Sequence, residues 1–405
     1  MASVFLYHVV GDLTVAKPEL VEFVETETVD AAIRAIGDST ESGIPVWRRR
    51  SGKGGSESSE MRQQRFVGIL NSLDIVGFLA SLDDQEKGMR TPISEIVVND
   101  NSLLREVHPA TRLIDALEMM KQGVRRLLVP KSTQWKGVSK KFSILYNGRW
   151  LKNMNASNPA IAVGNASQPS SSTTSRSKFC CLSREDVIRF VIGCLGALAP
   201  IPLSSISVLG AINHHYPFIE ASLPANEAIQ KLPQDPSAIA VVEPTSEGEY
   251  KIIGEISACN LWKCDYLAAA YALANLTAGQ FVMGVQDSII IRSDPKEVKS
   301  ADGENNGASN GVGLTRPRRL SSKNTSFFSS TVSPYIGSPR TIYRGRSTAL
   351  TCKVTSSMAA VMAQLLSHRA THVWVTEDDD DILVGMVGYA DIIYAVTRHP
   401  SSISS

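Results

Sequence analysis

The stretch Phe66–Leu79, FVGILNSLDIVGFL, decides how this chain folds. Five apolar or small residues, Phe66 to Leu70, run without a charge as a buried strand does. Asn71 then interrupts the run, and Leu73, Val76 and Leu79 continue it at helical spacing. Strand, polar turn and helix are compressed into fourteen residues. The same layout returns three times, as FCCLSREDVIRFV from Phe179, IIGEISACNLWKC from Ile252 and LVGMVGYADIIYAV from Leu383. An internal repeat fixes the architecture before any single side chain is interpreted.

Working outward, each copy gains a helix and a strand upstream. Val29, Ala32, Ile33 and Ile36 share a helical face after Thr28, a candidate cap, and Ile44-Pro45-Val46-Trp47 reads as a strand. Leu113, Ala116, Leu117 and Met120 form the second such face, ahead of a strand from Arg126 to Val129. Ala225, Ala228, Ile229 and Leu232 form the third, and Met358, Val361, Met362, Leu365 and Leu366 the fourth. The fold class expected is therefore α/β (α+β), built from four β-α-β-β-α units. Their boundaries fall at 1–86, 87–200, 201–287 and 346–405.

Three insertions break the pattern. RRRSGKGGSESSEMRQQ splits unit one, residues 131–177 split unit two, and residues 288–345 separate units three and four. All are poor in core-forming residues and are expected to be loops or a disordered linker. An extra hairpin around Asn147-Gly148 is the exception. The last insertion carries Arg318-Arg319-Leu320-Ser321, Ser333-Pro334 and Ser338-Pro339, layouts that kinases accept.

The 405 residues contain 41 Lys+Arg against 40 Asp+Glu, so charge does not select nucleic acid as a partner. Six cysteines are too few for a disulfide scaffold, and neither Cys180-Cys181 nor Cys259/Cys264 has zinc-ligand company in register. His214-His215 and His368/His372 likewise lack partners, and Asp378–Asp381 reads as a solvated acidic loop. Tyr266–Gln286 carries no charge but is rich in Ala, Thr, Asn and Gly, so a long buried packing helix is expected rather than a membrane span. The opening residues fit neither a secretory nor a transit pattern, so a cytoplasmic location is expected, with the nucleus left open. Walker A, G-x-G-x-x-G, G-x-S-x-G and H-E-x-x-H patterns are all lacking, so no enzyme is expected.

The Ile-Pro-Val strand at 44–46, the Gly-Ile-Leu strand at 68–70 and the acid three residues after a small polar turn residue together resemble the CBS domain. The resemblance implies that units pair through their sheets into two Bateman modules. It extends to plant proteins made only of CBS domains, and these are similar to the regulatory γ subunits of AMP-activated and SNF1-related kinases. It implies a cleft for an adenosyl ligand such as AMP, ADP or ATP, and a protein partner of the kinase class; a homodimer is also compatible with it. No cofactor beyond that regulatory nucleotide is implied. A carboxylate can accept from the ribose diol, and a helix start with basic side chains can hold phosphate.

The family's S/T-x-x-D turn is complete as Ser183 to Asp186, and Arg125-Arg126 matches the His-Arg pair that precedes the second strand in γ subunits. Asn71 with Asp74 is the next best copy, while Asn260 and Gly388 lack one family group each. The ligand-binding set expected is thus Ser183, Asp186, Arg125, Arg126, Asn71 and Asp74, with the C-terminal pair retained for packing and able to fold from about Leu203 alone. Every one of these turn residues is also a candidate helix cap, and both readings stand at this point.

Overall fold

In a computed structural model, residues 4–15, 17–39, 43–50, 57–131, 143–146, 149–152, 178–233, 235–262, 264–284, 347–377 and 381–398 are described. Four three-stranded sheets appear, one per unit, each with the order first–second–third strand. In every unit the first strand pairs parallel with the second and the second antiparallel with the third. The expected four β-α-β-β-α units are what the chain forms.

The register explains why two separate sequence positions act together. Gly43 pairs with Asn71, Arg126 with Ser183, Ala238 with Ser257, and His372 with Gly388. The residue opening each second strand therefore lies opposite the turn that ends the third. The turn helices follow at Ser72–Ala80, Arg184–Gly193, Ala258–Leu261 and Tyr389–Thr397.

Two kinds of packing join the units. Sheets meet between units one and two through Trp47, Phe66, Leu104 and Leu128, with the Trp47 and Phe66 rings edge to face at 5.3 Å. They meet between units three and four through Ala238, Val242, Trp374 and Met386. Helices pair across the halves instead. Ile36, Leu73, Val76 and Leu79 of unit one share a core with Ala228, Ala269 and Leu273 of unit three. Leu117, Val187 and Ile188 of unit two share another with Val361, Leu365 and Ile392 of unit four. The expectation that the C-terminal half folds alone meets this geometry badly, because separating the halves exposes both helical cores to water.

Three local expectations change. The uncharged stretch after Asn260 is not one helix. Asp265 Oδ1 accepts from the backbone N–H of Leu267 and Ala268 and starts a helix at Tyr266–Asn275, and Thr277 with Gln280 forms a capping box that starts another at Ala278–Met283. No helix among the described residues is long and apolar enough to cross a membrane. The face from Ala225 to Leu232 yields only the turn Glu227–Gln230, since Pro224 and Pro233 bracket it. The first insertion ends in a helix, Ser59–Arg65, capped by Ser58. Its Arg62 is buried, 2.5 Å from Glu106 Oε2 and stacked on the Phe179 ring. An arginine fork on an aromatic face supplied the burial that an apolar pattern usually signals.

The expected hairpin is present as Ser143–Tyr146 paired with Arg149–Lys152, in a register that leaves two residues between the strands. Asn147-Gly148, the rest of that insertion, the 288–345 linker with Ser321, Ser333 and Ser338, and most of the Asp378–Asp381 loop lie outside the described residues.

Candidate functional site

The turn of unit one is a reciprocal cap. Asn71 Oδ1 accepts from the backbone N–H of Leu73 at 2.8 Å and of Asp74 at 3.0 Å, and Asp74 Oδ2 accepts from the Asn71 N–H at 2.9 Å. Unit two repeats it: Ser183 Oγ accepts from the Asp186 N–H at 3.3 Å, and Asp186 Oδ2 accepts from the Ser183 N–H at 2.8 Å. In unit four the Asp391 carboxylate takes the Gly388 N–H at 2.8 Å with no side chain to answer it. In unit three Ser257 caps Asn260, whose amide donates to Glu255 Oε1 at 3.0 Å and to the Thr348 carbonyl at 3.3 Å. The capping reading of these residues is therefore correct, and a binding role has to be added to it rather than replace it.

Because helices pair one with three and two with four, the four turns converge. They enclose a small central cavity of about 100 Å³, to which all four units contribute. Unit one gives Gly43 and Asn71, unit two Arg125, Arg126, Ser183 and Arg184. Unit three gives Asp235 and Ser237, and unit four Arg369, Thr371 and Tyr389. The contacts between turns are polar: Asn71 Nδ2 donates to Ser237 Oγ at 3.2 Å, Ser72 Oγ to the Ala258 carbonyl at 2.6 Å, and Arg126 reaches the Gly43 carbonyl at 3.4 Å. Asp235 pairs with Arg184 and stands 3.6 Å from Arg125 Nε. Four arginines thus line one cavity with two carboxylates, Asp235, which pairs with Arg184, and Glu185, which pairs with Arg189. Burial lowers the Arg125 guanidinium, and Asp235 works against that. Arg184 is itself buried and its Nε has no hydrogen-bond partner. The N-terminus of the helix Arg184–Gly193 opens on the same cavity and favours negative charge there.

Next to it lies a wider cleft of about 340 Å³, which shares Ile69, Asn71, Arg125 and Ser237 with the cavity. Its walls include Leu73, Phe78, Ile96, Val98, Leu103 and Ile229, and three carboxylates, Asp74, Glu95 and Asp100, stand among them. Burial pushes the Asp74 carboxyl up to about 6, against the Asn71 backbone hydrogen bond and the Arg125 charge. An apolar stretch of wall, the Asp74 carboxylate beside it and an adjoining arginine cluster suit a flat ring, a diol and an anionic group in that order.

The six sequence-predicted residues divide on this map. Asn71, Arg125, Arg126 and Ser183 line the central cavity, and Asp74 lines the adjoining cleft. Asp186 lines neither. Its Oδ2 is bound by Lys17 Nζ at 2.7 Å and also accepts from Ser183 Oγ at 3.1 Å, with the Lys17 and Asp186 side chains 8% and 10% exposed. The carboxylate expected to be most available is engaged by the chain's own lysine.

Sequence reasoning missed Arg184, Asp235, Arg369 and Lys17. Two signals were present. Ser72, Arg184, Ala258 and Tyr389 each follow the turn residue, and Asp235 and Arg369 each stand three residues before their second strand. Arg369 has φ 55°, a left-handed backbone that favours glycine, at the position where unit two has Gly123 with φ 109°. A long cation held there against its backbone preference projects to the cavity. Among the described residues no group of three or more His, Cys, Asp or Glu is placed to hold a metal.

A family model described as the CBS domain matches residues 346–398. Over 414 residues the chain is 63% identical to the CBS domain-containing protein CBSX6 of Arabidopsis thaliana, which covers 99% of this chain and 96% of that protein. It is 25% identical over 413 residues to the SNF1-related protein kinase regulatory subunit gamma-like PV42b of the same plant, across 96% of this chain and 94% of that one. Among solved structures, a Methanocaldococcus jannaschii protein described as a candidate archaeal homolog of g-AMPK superposes with a TM-score of 0.50 at 11% identity, over 95% of this chain and 98% of that chain, a likeness of fold alone. The four repeated units, their three-stranded sheets and the full-length identity to a plant relative agree: the chain belongs to the family of CBS domain-containing proteins.

Proposed function

We propose that the chain is a non-catalytic regulatory protein that binds an adenosine-containing ligand and modulates a protein partner in response. The observation that carries this reading is the continuity of the Asp74 cleft with the arginine cavity through Asn71 and Arg125. The base lies between Phe78, Ile96 and Leu103, the ribose hydroxyls donate to Asp74, and the phosphate is held by Arg125, Arg126, Arg184 and Arg369. The gamma-like name of one relative supports a kinase as the partner class. Because the site draws on all four units, ligand binding would tighten their mutual packing, and a partner docked across the units would read that change.

The test is titration calorimetry of the full chain with AMP, ADP and ATP, alongside melting curves. Saturating nucleotide should raise the melting temperature, by about 2.7 kcal/mol of stability at a hundred times Kd. No heat and no shift at millimolar nucleotide would overturn the reading. A second reading, a scaffold that binds partners without ligand, is favoured by the lysine on Asp186 and by the amide of Asn260 turned onto its own chain. It expects silence in the same titration.

A further inference from the structure

Units one and two each receive an incoming segment along the edge of the third strand, and in the same register. The Asp100 N–H donates to the Val67 carbonyl at 2.8 Å, and the Leu20 N–H donates to the Phe179 carbonyl at 2.7 Å. Val67 stands four residues before Asn71, and Phe179 stands four before Ser183. Counting three back from Asp100 and from Leu20 reaches Val97 and Lys17. Lys17 therefore holds in unit two the place that Val97 holds in unit one. Val97 is a buried aliphatic residue beside a cleft that stays open to Asp74. Lys17 is buried too, but carries its ammonium onto the equivalent carboxylate, Asp186.

The rest of the segment completes the closure. The Val10 and Gly11 N–H groups donate to the Thr111 and Pro109 carbonyls, Val10 and Thr14 are buried, and the His8 ring meets the Phe190 ring edge-on at 4.9 Å. Lys131 Nζ donates to the Lys17 carbonyl at 2.6 Å and anchors the backbone at the lysine itself.

We propose that Lys17 determines which cleft takes ligand: it is a tethered cation that satisfies Asp186 and withholds unit two from the nucleotide, leaving unit one as the site. The inference rests on the adenine-nucleotide reading of unit one for its ligand class. A ribose hydroxyl reaching Asp186 would have to displace an ammonium group that is already desolvated and paired. At Asp74 the cation that lines the cleft, Arg125, pairs with Asp235 instead.

The test exchanges the two residues. Lys17→Val copies unit one into unit two, and Val97→Lys does the reverse. Both are made in the full chain and titrated with AMP, with cooperative melting as the control for folding. One site in the wild type and two in K17V, the added site lost again in K17V combined with Asp186→Ala, is the expected result. V97K should weaken the wild-type site at least tenfold. A folded K17V that gains no site, or a folded V97K with unchanged affinity, overturns the inference. If the wild type binds nothing while K17V binds one AMP, the assignment of Lys17 stands and the nucleotide reading of unit one falls. Should K17V fail to fold, V97K alone decides, since it leaves the Lys17–Asp186 pair intact.

Discussion

The clefts of units one and two share a backbone, a capping box and an acid three residues after the turn, yet differ in what meets the acid. In unit two a buried lysine takes it; in unit one it lines a partly apolar cleft with Arg125, whose guanidinium stands by Asp235. A complete motif is thus no measure of availability. Asp186 belongs to the better match of sequence and is the better-satisfied group, while Asp74 belongs to the altered copy and is left with a raised pKa. Strain left at a carboxylate is what a ligand can relieve.

The largest effect expected separates the two acids by stability. Asp186→Ala strands the Lys17 ammonium in a buried place, and removing one partner of a buried pair costs about 3–5 kcal/mol. Asp74→Ala removes a cap but leaves no cation stranded, and should cost about 1 kcal/mol. Urea denaturation of both variants checks this. Equal losses would mean that Lys17 finds other acceptors and that the clefts differ less than their geometry indicates.

A second difference is the pH dependence of Asp74. Its pKa lies near 6 in the fold against 3.8 when unperturbed, so the folded chain holds this proton more tightly than the unfolded one. Stability from this group falls as pH rises from about 4 to about 6, and the cost of keeping the ionised acid is complete above that. It is at most roughly 3 kcal/mol, less whatever water in the cleft returns. Asp74→Asn should therefore match the wild type in stability near pH 4 and exceed it at pH 7.5. The same variant should weaken AMP binding by about tenfold or more, because a charge-assisted acceptor is lost. Greater stability with unchanged AMP affinity would remove Asp74 from the site.

How much of this was legible beforehand follows from what repeats. The four units and the order of elements in each were readable because four copies carry the same period, and the resemblance put Arg125-Arg126 in one unit with Ser183, which the register of the second and third strands brings side by side. Lys17 was not, because it lies upstream of unit one's first strand and reaches unit two only through the contact of its segment with that unit's third strand. Arg62 was hidden in a charged, glycine-rich insertion whose composition argues for solvent, and Asp235 and Arg369 in loops where no apolar pattern points inward. The broken helix after Asn260 was signalled by Asp265 and Thr277-Gln280, but local caps are easily outweighed on paper by a long uncharged run.

The same strand position sharpens the comparison from the packing side. Gly68 and Cys180 each precede their turn residue by three. A Cβ on Gly68 would lie 2.2 Å from the Val98 carbonyl oxygen, and one on the matching Gly254 or Gly385 would lie 2.9 or 2.7 Å from the carbonyl oxygen of Ser347 or Asn213. In unit two a buried cysteine is accommodated there, so the segment carrying Lys17 cannot press as closely. Gly68→Ala should cost about 1–3 kcal/mol through overpacking against backbone, whereas Cys180→Gly should cost less than that, by thermal melting. An innocuous Gly68→Ala would show that the incoming segment of unit one can move off the strand, and that its cleft is not fixed by that contact.

The smallest effect is the most direct question about the motif. Asn71→Ser completes in unit one the turn that unit two already has. Asn and Ser cap helices almost equally well, so the backbone N–H groups of Leu73 and Asp74 keep an acceptor and stability should change by less than about 0.5 kcal/mol. What is lost is the amide donor from Asn71 to Ser237 across to unit three, at a solvent-accessible wall of the cavity. What is gained is a hydroxyl aimed where a phosphate would lie. If availability of the acid governs binding, AMP affinity should shift by no more than about threefold, since Asp74 and the four arginines are untouched. A tenfold gain in calorimetry would instead make the hydroxyl the limiting group, and would return the better site to the copy whose sequence is complete.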